Sequence, residues 1–364
     1  MKKKILFMLI SMNIGGTEKA FLNMLSDMSA NKYDITLVLL EKSGGFLQSI
    51  PKHVKIVTFK DYIKIKASIE NPLHSIAREL FLQKKLRKAF IYLIFYINFK
   101  IFKENTLLFK YILKDIETQK EIYDIAIAYA GPMDFISYFI LNKVRAKRKM
   151  QWIHFDVTKI GFNKYFAHRH YQKYDRIFVV SKEARERLVK VLPKLDNKIK
   201  VFKNNVSKDL IVNMANGGEG FIDKFNGLRI LTVGRLSSEK GQDLAIRVMA
   251  RLKNEGINVK WYCIGEGNAR HNWEGLIRKN NLQDDFILLG AKVNPYSFMK
   301  ECNIYVQPSR HEGYCITLAE AKCFNIPIIA TNFTGAKEQI SSYDKGTIVE
   351  FNEQQLYEAI VKLM

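Results

Sequence analysis

The chain has 364 residues, of which 48% are hydrophobic, and a formal net charge of +22. This length predicts more than one domain, and the apolar content is ample for packed cores. The four cysteines form no Cys-x-x-Cys pair and no zinc-like spacing, which excludes a cysteine metal site and indicates buried thiols.

The chain alternates apolar strands with helical segments along its whole length. In the first half, strands are predicted at residues 4–10, 35–40, 55–59, 124–129, 150–155 and 176–180. The second half repeats the scheme at 229–233, 259–264, 286–289, 304–306, 326–330 and 347–351. Continuous apolar strands separated by helices indicate parallel sheets covered on both faces. The predicted fold class is α/β, with two doubly wound parallel-sheet domains and ligands at the carboxyl ends of the strands between them.

The first residues, Met1-Lys2-Lys3-Lys4, are similar to the charged start of a secretory signal. The apolar stretch that follows is interrupted by Asn13, Gly15 and Gly16, so it predicts a first β-strand instead. We therefore expect a cytoplasmic protein.

A basic, aromatic-rich segment lies between the second and fourth predicted strands. Residues 52–114 carry 14 Lys or Arg against 4 Asp or Glu, and a basic cluster at 84–88 precedes an apolar run at 89–99. Asn98 and Lys100 interrupt this run, which is too short to cross a bilayer. The pattern is typical of a helix that docks on an anionic membrane surface, and the alternative is a core helix with a basic exposed end.

Several polar residues follow the fifth and sixth predicted strands. His154 and Asp156 come directly after an apolar strand, and Asp156 is a candidate for orienting an acceptor. His168 and His170 lie on a basic helix, which is predicted to be at the surface.

The strand at 229–233 ends in a glycine-containing loop, Gly234 to Gly241. Glycine at such a turn permits close approach of a ligand to the backbone. Arg235 offers a planar fork of donors and Lys240 a compact charge, and together they could neutralise a leaving diphosphate.

Two glutamates eight residues apart follow the strand at 304–306. Glu312 lies in a glycine-containing loop, and Glu320 lies about one turn into the next predicted helix. The free amides at a helix start suit a phosphate, and a glutamate one turn further can accept hydrogen bonds from a ribose diol. These features indicate a nucleotide-linked substrate.

With these motifs the chain resembles the retaining glycosyltransferases of family four, which have the GT-B fold. That family combines a Gly-Arg-Leu-x-x-x-Lys-Gly loop with a later Glu-Gly-Phe/Tyr-x5-Glu-Ala segment, matched here at 234–241 and 312–321. The resemblance extends to the segments at 15–18, 180–182, 265–267 and 335–338.

The resemblance implies two Rossmann-like domains that face a central cleft. They are an acceptor domain at 1–204, with an insertion at about 60–120, and a nucleotide-sugar domain at 205–364. The implied reaction transfers a hexose from a nucleoside diphosphate sugar, with uridine as the commonest base, to a saccharide or lipid-linked saccharide, as in bacterial capsule and cell-wall enzymes. The family continues beyond the point where this sequence stops, so we expect a truncated or naturally short member.

The resemblance also implies roles for individual residues. Arg235 and Lys240 would bind the diphosphate, Glu320 the ribose and Glu312 the hydroxyls of the transferred sugar. His154 would lie against the donor sugar, and Gly16 would permit close approach to the phosphates. The remaining donor contacts would come from the backbone of Gly313, Tyr314, Cys315 and Ile316.

Neither a metal nor a cofactor is expected, since the sequence has no Asp-x-Asp pair suited to a metal-bound diphosphate.

Three alternatives to the glycosyltransferase function stay open. One is a nucleotide-sugar epimerase of the same fold. The others are a nucleic-acid binder, suggested by the charge but lacking a binding motif, and a non-catalytic lipid- or polysaccharide-binding scaffold.

Overall fold

The computed structural model describes residues 2–131, 133–159 and 161–364. The chain divides into two compact units. The first comprises residues 1–12, 25–180 and 185–202, and the second comprises 13–24, 181–184 and 203–364. This division differs from the predicted split at residue 204 in that residues 13–24 and 181–184 group with the C-terminal unit.

The first unit is built on a seven-stranded, fully parallel sheet in the order β3-β2-β1-β4-β5-β6-β7. Its strands are β1 (Lys3–Leu9), β2 (Tyr33–Leu39), β3 (Lys55–Thr58), β4 (Ile122–Gly131), β5 (Arg145–Ile153), β6 (Arg176–Val179) and β7 (Ile199–Val201). The helices of the first half of the chain are α1 (Gly16–Asp27), α2 (Tyr62–Glu70), α3 (Leu73–Leu82), α4 (Leu86–Phe102), α5 (Thr106–Ile112), α6 (Asp134–Lys143), α7 (Lys164–His170) and α8 (Lys182–Val191).

The second unit is built on a six-stranded parallel sheet in the order β10-β9-β8-β11-β12-β13. Its strands are β8 (Leu228–Val233), β9 (Val259–Ile264), β10 (Phe286–Leu288), β11 (Ile304–Gln307), β12 (Ile328–Thr331) and β13 (Gly346–Val349). Its helices are α9 (Lys208–Asn216), α10 (Gln242–Asn254), α11 (Arg270–Lys279), α12 (Tyr296–Glu301), α13 (Ile316–Ala321), α14 (Ala336–Ile340) and α15 (Glu353–Val361).

The central strands of both sheets are buried on both faces, as their unbroken apolar sequences predict. In β1 and β2 the last five residues are all buried, and in β11 and β12 all four are. A strand covered on both sides has no polar face, so its sequence does not alternate. The predicted α/β fold class with two doubly wound parallel sheets is confirmed.

The sequence missed one strand and misplaced several strand ends. The edge strand β7 has only three residues, too few to give a recognisable apolar run. Strand β5 begins at Arg145 rather than 150, because its first residues project basic side chains into solvent at the sheet margin. Exposed polar residues at a strand start carry no hydrophobic signal, so sequence alone could not place this start.

The predicted surface position of His170 is wrong. This residue is only 3% exposed, and its Nε2 atom lies 2.6 Å from the Thr106 hydroxyl oxygen. Next to it, the buried carboxylate of Glu104 accepts hydrogen bonds from Arg169 at 2.8 Å and from the Thr106 amide at 2.6 Å. Burial lowers the pKa of His170 to about 4. The basic helix α7 is therefore anchored to the start of α5 through its last turn.

Candidate functional site

The candidate site lies where the strand order of the second sheet reverses. Strands β8 and β11 are parallel neighbours, and the chain runs outward from them in opposite directions. In open α/β sheets, ligands bind outside the carboxyl ends of the two strands at such a switch point. The loops that follow β8 and β11 are the two that the sequence singled out.

Close backbone contacts hold the loop after β8 against its neighbours. Gly241 has a φ of +69°, and a Cβ there would lie 1.9 Å from the Pro308 carbonyl oxygen. A Cβ at Gly265 would lie 2.0 Å from the Gly234 carbonyl oxygen, and one at Gly267 would lie 2.2 Å from a backbone oxygen of the same loop. Only glycine fits at these positions, so the loops after β8, β9 and β11 pack backbone to backbone.

Glu312 is held in a fixed orientation by three donors. Its Oε1 atom accepts hydrogen bonds from Lys240 Nζ at 2.6 Å and Ser309 Oγ at 2.8 Å, and from Gln307 Nε2 at 3.4 Å. The Glu312 side chain is 8% exposed and that of Lys240 is 24% exposed. A nearly buried ion pair with extra hydrogen bonds keeps both charged groups at the loop surface where a ligand would lie.

Arg310, to which the sequence assigned no role, links the two loops. Its guanidinium donates to both carboxylate oxygens of Asp243, at 2.7 and 2.6 Å, and to the Ser238 carbonyl at 2.6 Å. The same group lies 4.1 Å from the ring centroid of Phe351. This bidentate, stacked geometry fixes the Glu312 loop against the start of α10.

Glu320 lies inside the unit, on the short helix α13. It is 2% exposed, and it accepts a hydrogen bond from the Tyr296 hydroxyl at 2.7 Å. Lys19 Nζ lies 5.0 Å from the centroid of the Tyr296 ring. Burial raises the pKa of the Glu320 carboxyl, while the charge of Lys19 and the Tyr296 hydrogen bond act in the opposite direction.

The segment before α13 presents a row of backbone donors. In the part of the chain that the structure describes, the amides of Gly313, Tyr314, Cys315 and Ile316 donate no hydrogen bond. Cys315 has a left-handed backbone with a φ of 55°, an uncommon conformation that concentrates at functional sites. Successive free amides around a left-handed residue form a concave anion site. Helix α13 has only six residues, so these amides contribute more than its dipole.

The first turn of α1 belongs to the same unit and brings Gly16 close to this row. A Cβ built at Gly16 would lie 3.8 Å from Ile316 Cγ2. Arg235 is exposed, and its positive charge lowers the pKa of Glu18, which burial raises more strongly. The start of α1 therefore places Glu18 near Arg235 and Lys19 near Glu320.

His154 belongs to the first unit, where it follows β5. It stacks beside Trp152 and lies 4.5 Å, centroid to centroid, from Tyr129. Its Nε2 atom is buried without a partner among the described residues, and burial lowers its pKa to about 3. The imidazole is therefore neutral at physiological pH.

Asp156 does not fit the predicted role of orienting an acceptor. It is 1% exposed, and its carboxylate bonds to Arg187 and to the Thr158 hydroxyl, the latter at 2.7 Å. These contacts make it part of an internal ion pair of the first unit.

The structure brings together the predicted donor-binding residues of the C-terminal half of the chain. Gly16, from the start of α1, lies beside them. Sequence reasoning missed the residues that hold them: Lys19, Tyr296, Gln307, Ser309, Arg310 and Asp243. Ser309 and Arg310 lie just before the Glu312 segment. Lys19 directly follows the segment at 15–18, and Asp243 lies two residues after Gly241. Tyr296 comes from a part of the chain without a local signature. Among the described residues, no group of three or more His, Cys, Asp and Glu side chains could hold a metal ion.

Comparison with known proteins shows what this part of the chain is similar to. Residues 224–364, which include every loop of the site except the start of α1, match the family model described as Glycosyl transferases group 1. Over this segment the chain is similar to that family. The predicted resemblance is thereby confirmed for the family and for the GT-B fold.

Curated relatives agree with this family. The chain is 31% identical over 180 residues to an uncharacterized glycosyltransferase of Methanocaldococcus jannaschii, covering 47% of this chain and 44% of the relative. It is 30% identical over 204 residues to the N-acetylgalactosamine-N,N'-diacetylbacillosaminyl-diphospho-undecaprenol 4-alpha-N-acetylgalactosaminyltransferase of Campylobacter jejuni, covering 56% and 54%. The chain thus spans about half the length of the curated relatives it matches.

Solved structures share the fold over nearly the whole chain. HepE of Anabaena, solved in complex with UDP and glucose, has a TM-score of 0.68 at 15% identity, covering 99% of this chain and 89% of that one. TarM of Staphylococcus aureus, solved in a complex containing UDP, has a TM-score of 0.68 at 16% identity, covering 99% and 92%.

Proposed function

We propose that this protein is a retaining, metal-independent glycosyltransferase. It would move a hexose from a nucleoside diphosphate sugar, with UDP-sugars as the first candidates, to a hydroxyl of a saccharide or lipid-linked saccharide. The observation that carries the proposal is the convergence of Lys240, Glu312, Glu320 and the free amides of 313–316 at one switch point, inside the segment that matches the family.

The chemical barrier is the separation of an anionic diphosphate from an oxocarbenium-like sugar. Lys240 and Arg235 supply positive charge, and the amide row supplies preorganised donors for the phosphate oxygens. Fixed donors that match charge developing in the transition state lower such barriers by several kcal/mol. The bond from the anomeric carbon to the diphosphate oxygen breaks, and a bond from that carbon to the acceptor oxygen forms on the same face.

Glu312 and Glu320 would bind hydroxyl groups rather than transfer protons. Glu320 is buried and already accepts from Tyr296, so its second oxygen can accept from a ribose diol. Glu312 keeps one oxygen on Lys240 and Ser309, and the other can accept from the transferred sugar. The acceptor's proton would pass to the leaving phosphate oxygen, since neither glutamate is placed as a free base.

His154 would contribute as a neutral hydrogen-bonding group toward the donor sugar. Its buried Nε2 atom has no partner in the described part of the chain, and its low pKa keeps the ring uncharged. A neutral imidazole can bind a sugar hydroxyl without adding charge beside the oxocarbenium centre.

The proposed setting is the cytoplasmic side of a cell membrane, in the synthesis of a surface polysaccharide. Two of the relatives support this setting. One is named for a diphospho-undecaprenol acceptor, and another, CapM of Staphylococcus aureus, is named for capsular polysaccharide biosynthesis. The basic segment 52–114 would face the anionic membrane surface.

The test is an assay of a panel of nucleotide sugars with EDTA present. We expect release of nucleoside diphosphate that requires a saccharide or lipid-linked acceptor, and an anomeric configuration in the product, read by proton NMR, equal to that of the donor. Inversion of configuration, or abolition of activity by EDTA, would refute the proposed mechanism. Nucleotide release without a glycosidic product would favour the epimerase alternative.

A further inference from the structure

One face of helix α4 carries a continuous row of exposed apolar side chains. Leu86, Phe90, Leu93, Ile97 and Ile101 follow one another at spacings of four, three, four and four residues, and each is at least 43% exposed. At 3.6 residues per turn, this spacing puts all five on one side of the helix. Phe81 and Leu82, at the end of α3, are 64% and 72% exposed. These seven side chains are called the apolar stripe.

The opposite face of α4 is packed inside the first unit. Ala89, Tyr92 and Phe95 are buried there, and the ring of Phe95 lies 5.2 Å from that of Tyr111, centroid to centroid. The helix is therefore fixed in the fold with its apolar stripe outward. Contiguous exposed apolar surface is rare on soluble proteins and marks an interaction site.

The charges around the stripe identify the kind of partner. From Arg78 to Lys103 the chain has seven basic residues and a single acidic one, Glu79. Lys84, Lys85, Arg87 and Lys88 lie at one end of the helix, and Lys100 and Lys103 lie at the other. Apolar side chains with a cationic border fit the surface of an anionic bilayer, where the apolar groups enter the interface and the cations contact headgroups.

Two of these lysines occupy backbone positions that favour glycine. Lys84, before α4, has a φ of 58°, and Lys103, which ends α4, has a φ of 57°. A helix end in this left-handed conformation is usually occupied by glycine or asparagine, because other residues pay a steric cost. Lysine at these two positions carries a backbone cost, and the two residues place a cation before and after α4.

We propose that the apolar stripe and its lysine border form a docking surface for an anionic lipid bilayer, with α4 lying along the interface. Within the described residues, no helix has the length and apolar content needed to cross a membrane. This inference specifies the membrane contact of the proposed function. It does not depend on the transfer reaction, since binding to vesicles needs neither donor nor acceptor.

The test is co-sedimentation of the full chain with phosphatidylcholine vesicles, with and without roughly a third of phosphatidylglycerol. We expect binding only to the anionic vesicles, and weaker binding as salt screens the lysines. The double variant Phe90→Ser/Ile101→Ser should reduce partitioning by about tenfold or more. Ile222→Ser, a matched control at a 93% exposed isoleucine of the second unit, should leave it unchanged.

The lysine variants separate charge from folding. Lys84→Gly/Lys103→Gly removes two cations at positions where glycine suits the backbone, so the fold should be at least as stable while binding to anionic vesicles falls by about tenfold. Lys84→Arg/Lys103→Arg should bind as the wild type does. The proposal is overturned if the chain ignores anionic vesicles, if the glycine variant binds equally well, or if the stripe instead drives self-association that Phe90→Ser abolishes.

Discussion

The two units differ in the side chains that they present at their candidate binding surfaces. At the switch point of the second sheet, charged side chains pair with one another, as Lys240 does with Glu312 and Arg310 with Asp243. On α4 of the first unit, apolar side chains face outward and are bordered by lysines. Lys85 donates to the side chain of Gln83 at 2.8 Å, and Lys100 Nζ lies 5.4 Å from the centroid of the Tyr96 ring. In the two proposals made above, the first surface binds a small anionic ligand and the second binds an extended anionic surface.

The family model matches a segment of the second unit. A diphosphate must be bound by groups at defined positions, which constrains residue types in short motifs such as 234–241 and 312–321. A bilayer accepts any side chains that are apolar enough and suitably charged, so docking segments retain composition rather than sequence. Changes to the charged groups of the second unit should therefore have large, specific effects, and changes in the first unit should have smaller ones.

The largest effect is expected for Lys240→Met. In the proposed mechanism this change removes a cation that faces the leaving diphosphate, and kcat/KM should fall by about a hundredfold or more. The second unit should also lose stability, because the nearly buried Glu312 carboxylate keeps only the hydrogen bonds from Ser309 and Gln307, so rates are measured on folded protein. Initial rates with the best donor measure this effect. Lys279→Met, at an exposed lysine in the last turn of α11, is the control and should stay within about twofold of the wild type.

His170 should make the first unit sensitive to acid. Its folded pKa of about 4 lies below the ordinary value near 6.5, so the unfolded chain binds the proton first as pH falls. Through this residue, the free energy of unfolding should drop by about 2 kcal/mol between pH 7.5 and pH 5. In urea titrations at both pH values, His170→Gln should lose less stability over this range than the wild type. An equal loss in both proteins would contradict the expectation.

Arg310→Lys should have an intermediate effect on stability. Lysine keeps the charge but cannot donate to both oxygens of Asp243 or stack on Phe351 in the same way. The second unit should lose about 1–2 kcal/mol of stability, and donor affinity should weaken because the Glu312 loop is held less firmly. Thermal unfolding and calorimetric titration with UDP measure the two effects. A loss of stability with unchanged affinity would make the Arg310–Asp243 pair purely structural.

The smallest effect is expected for Lys103→Gly alone, and its sign is the informative part. Relief of the left-handed backbone should raise the free energy of unfolding by up to about 1 kcal/mol. Urea unfolding at neutral pH measures this change. Destabilisation would mean that the lysine side chain makes a structural contact that outweighs its backbone cost.

Much of the fold and the motif part of the site could be predicted from the sequence. Buried parallel strands such as β1, β2 and β11 are continuous apolar runs in the sequence. The backbone of the site loops requires glycine at fixed positions, so these loops appear in the sequence as short glycine-containing motifs. The short edge strand β7 and the basic start of β5 lacked such a signal.

Tertiary partners could not be predicted, because nothing local in the sequence specifies them. Tyr296 and Lys19 reach Glu320 from distant parts of the chain. The burial of His170 depends on its packing against the start of α5, 64 residues away in sequence. A basic helix looks the same in sequence whether its histidine faces solvent or the core.

The most direct test of the central claim is calorimetric titration of UDP into the wild type, Glu320→Gln and Lys240→Met. The account predicts saturable binding without added metal, which Lys240→Met weakens strongly for UDP but little for uridine, and which Glu320→Gln weakens for both. Equal UDP affinity in all three proteins would contradict the placement of a nucleotide diphosphate at this switch point.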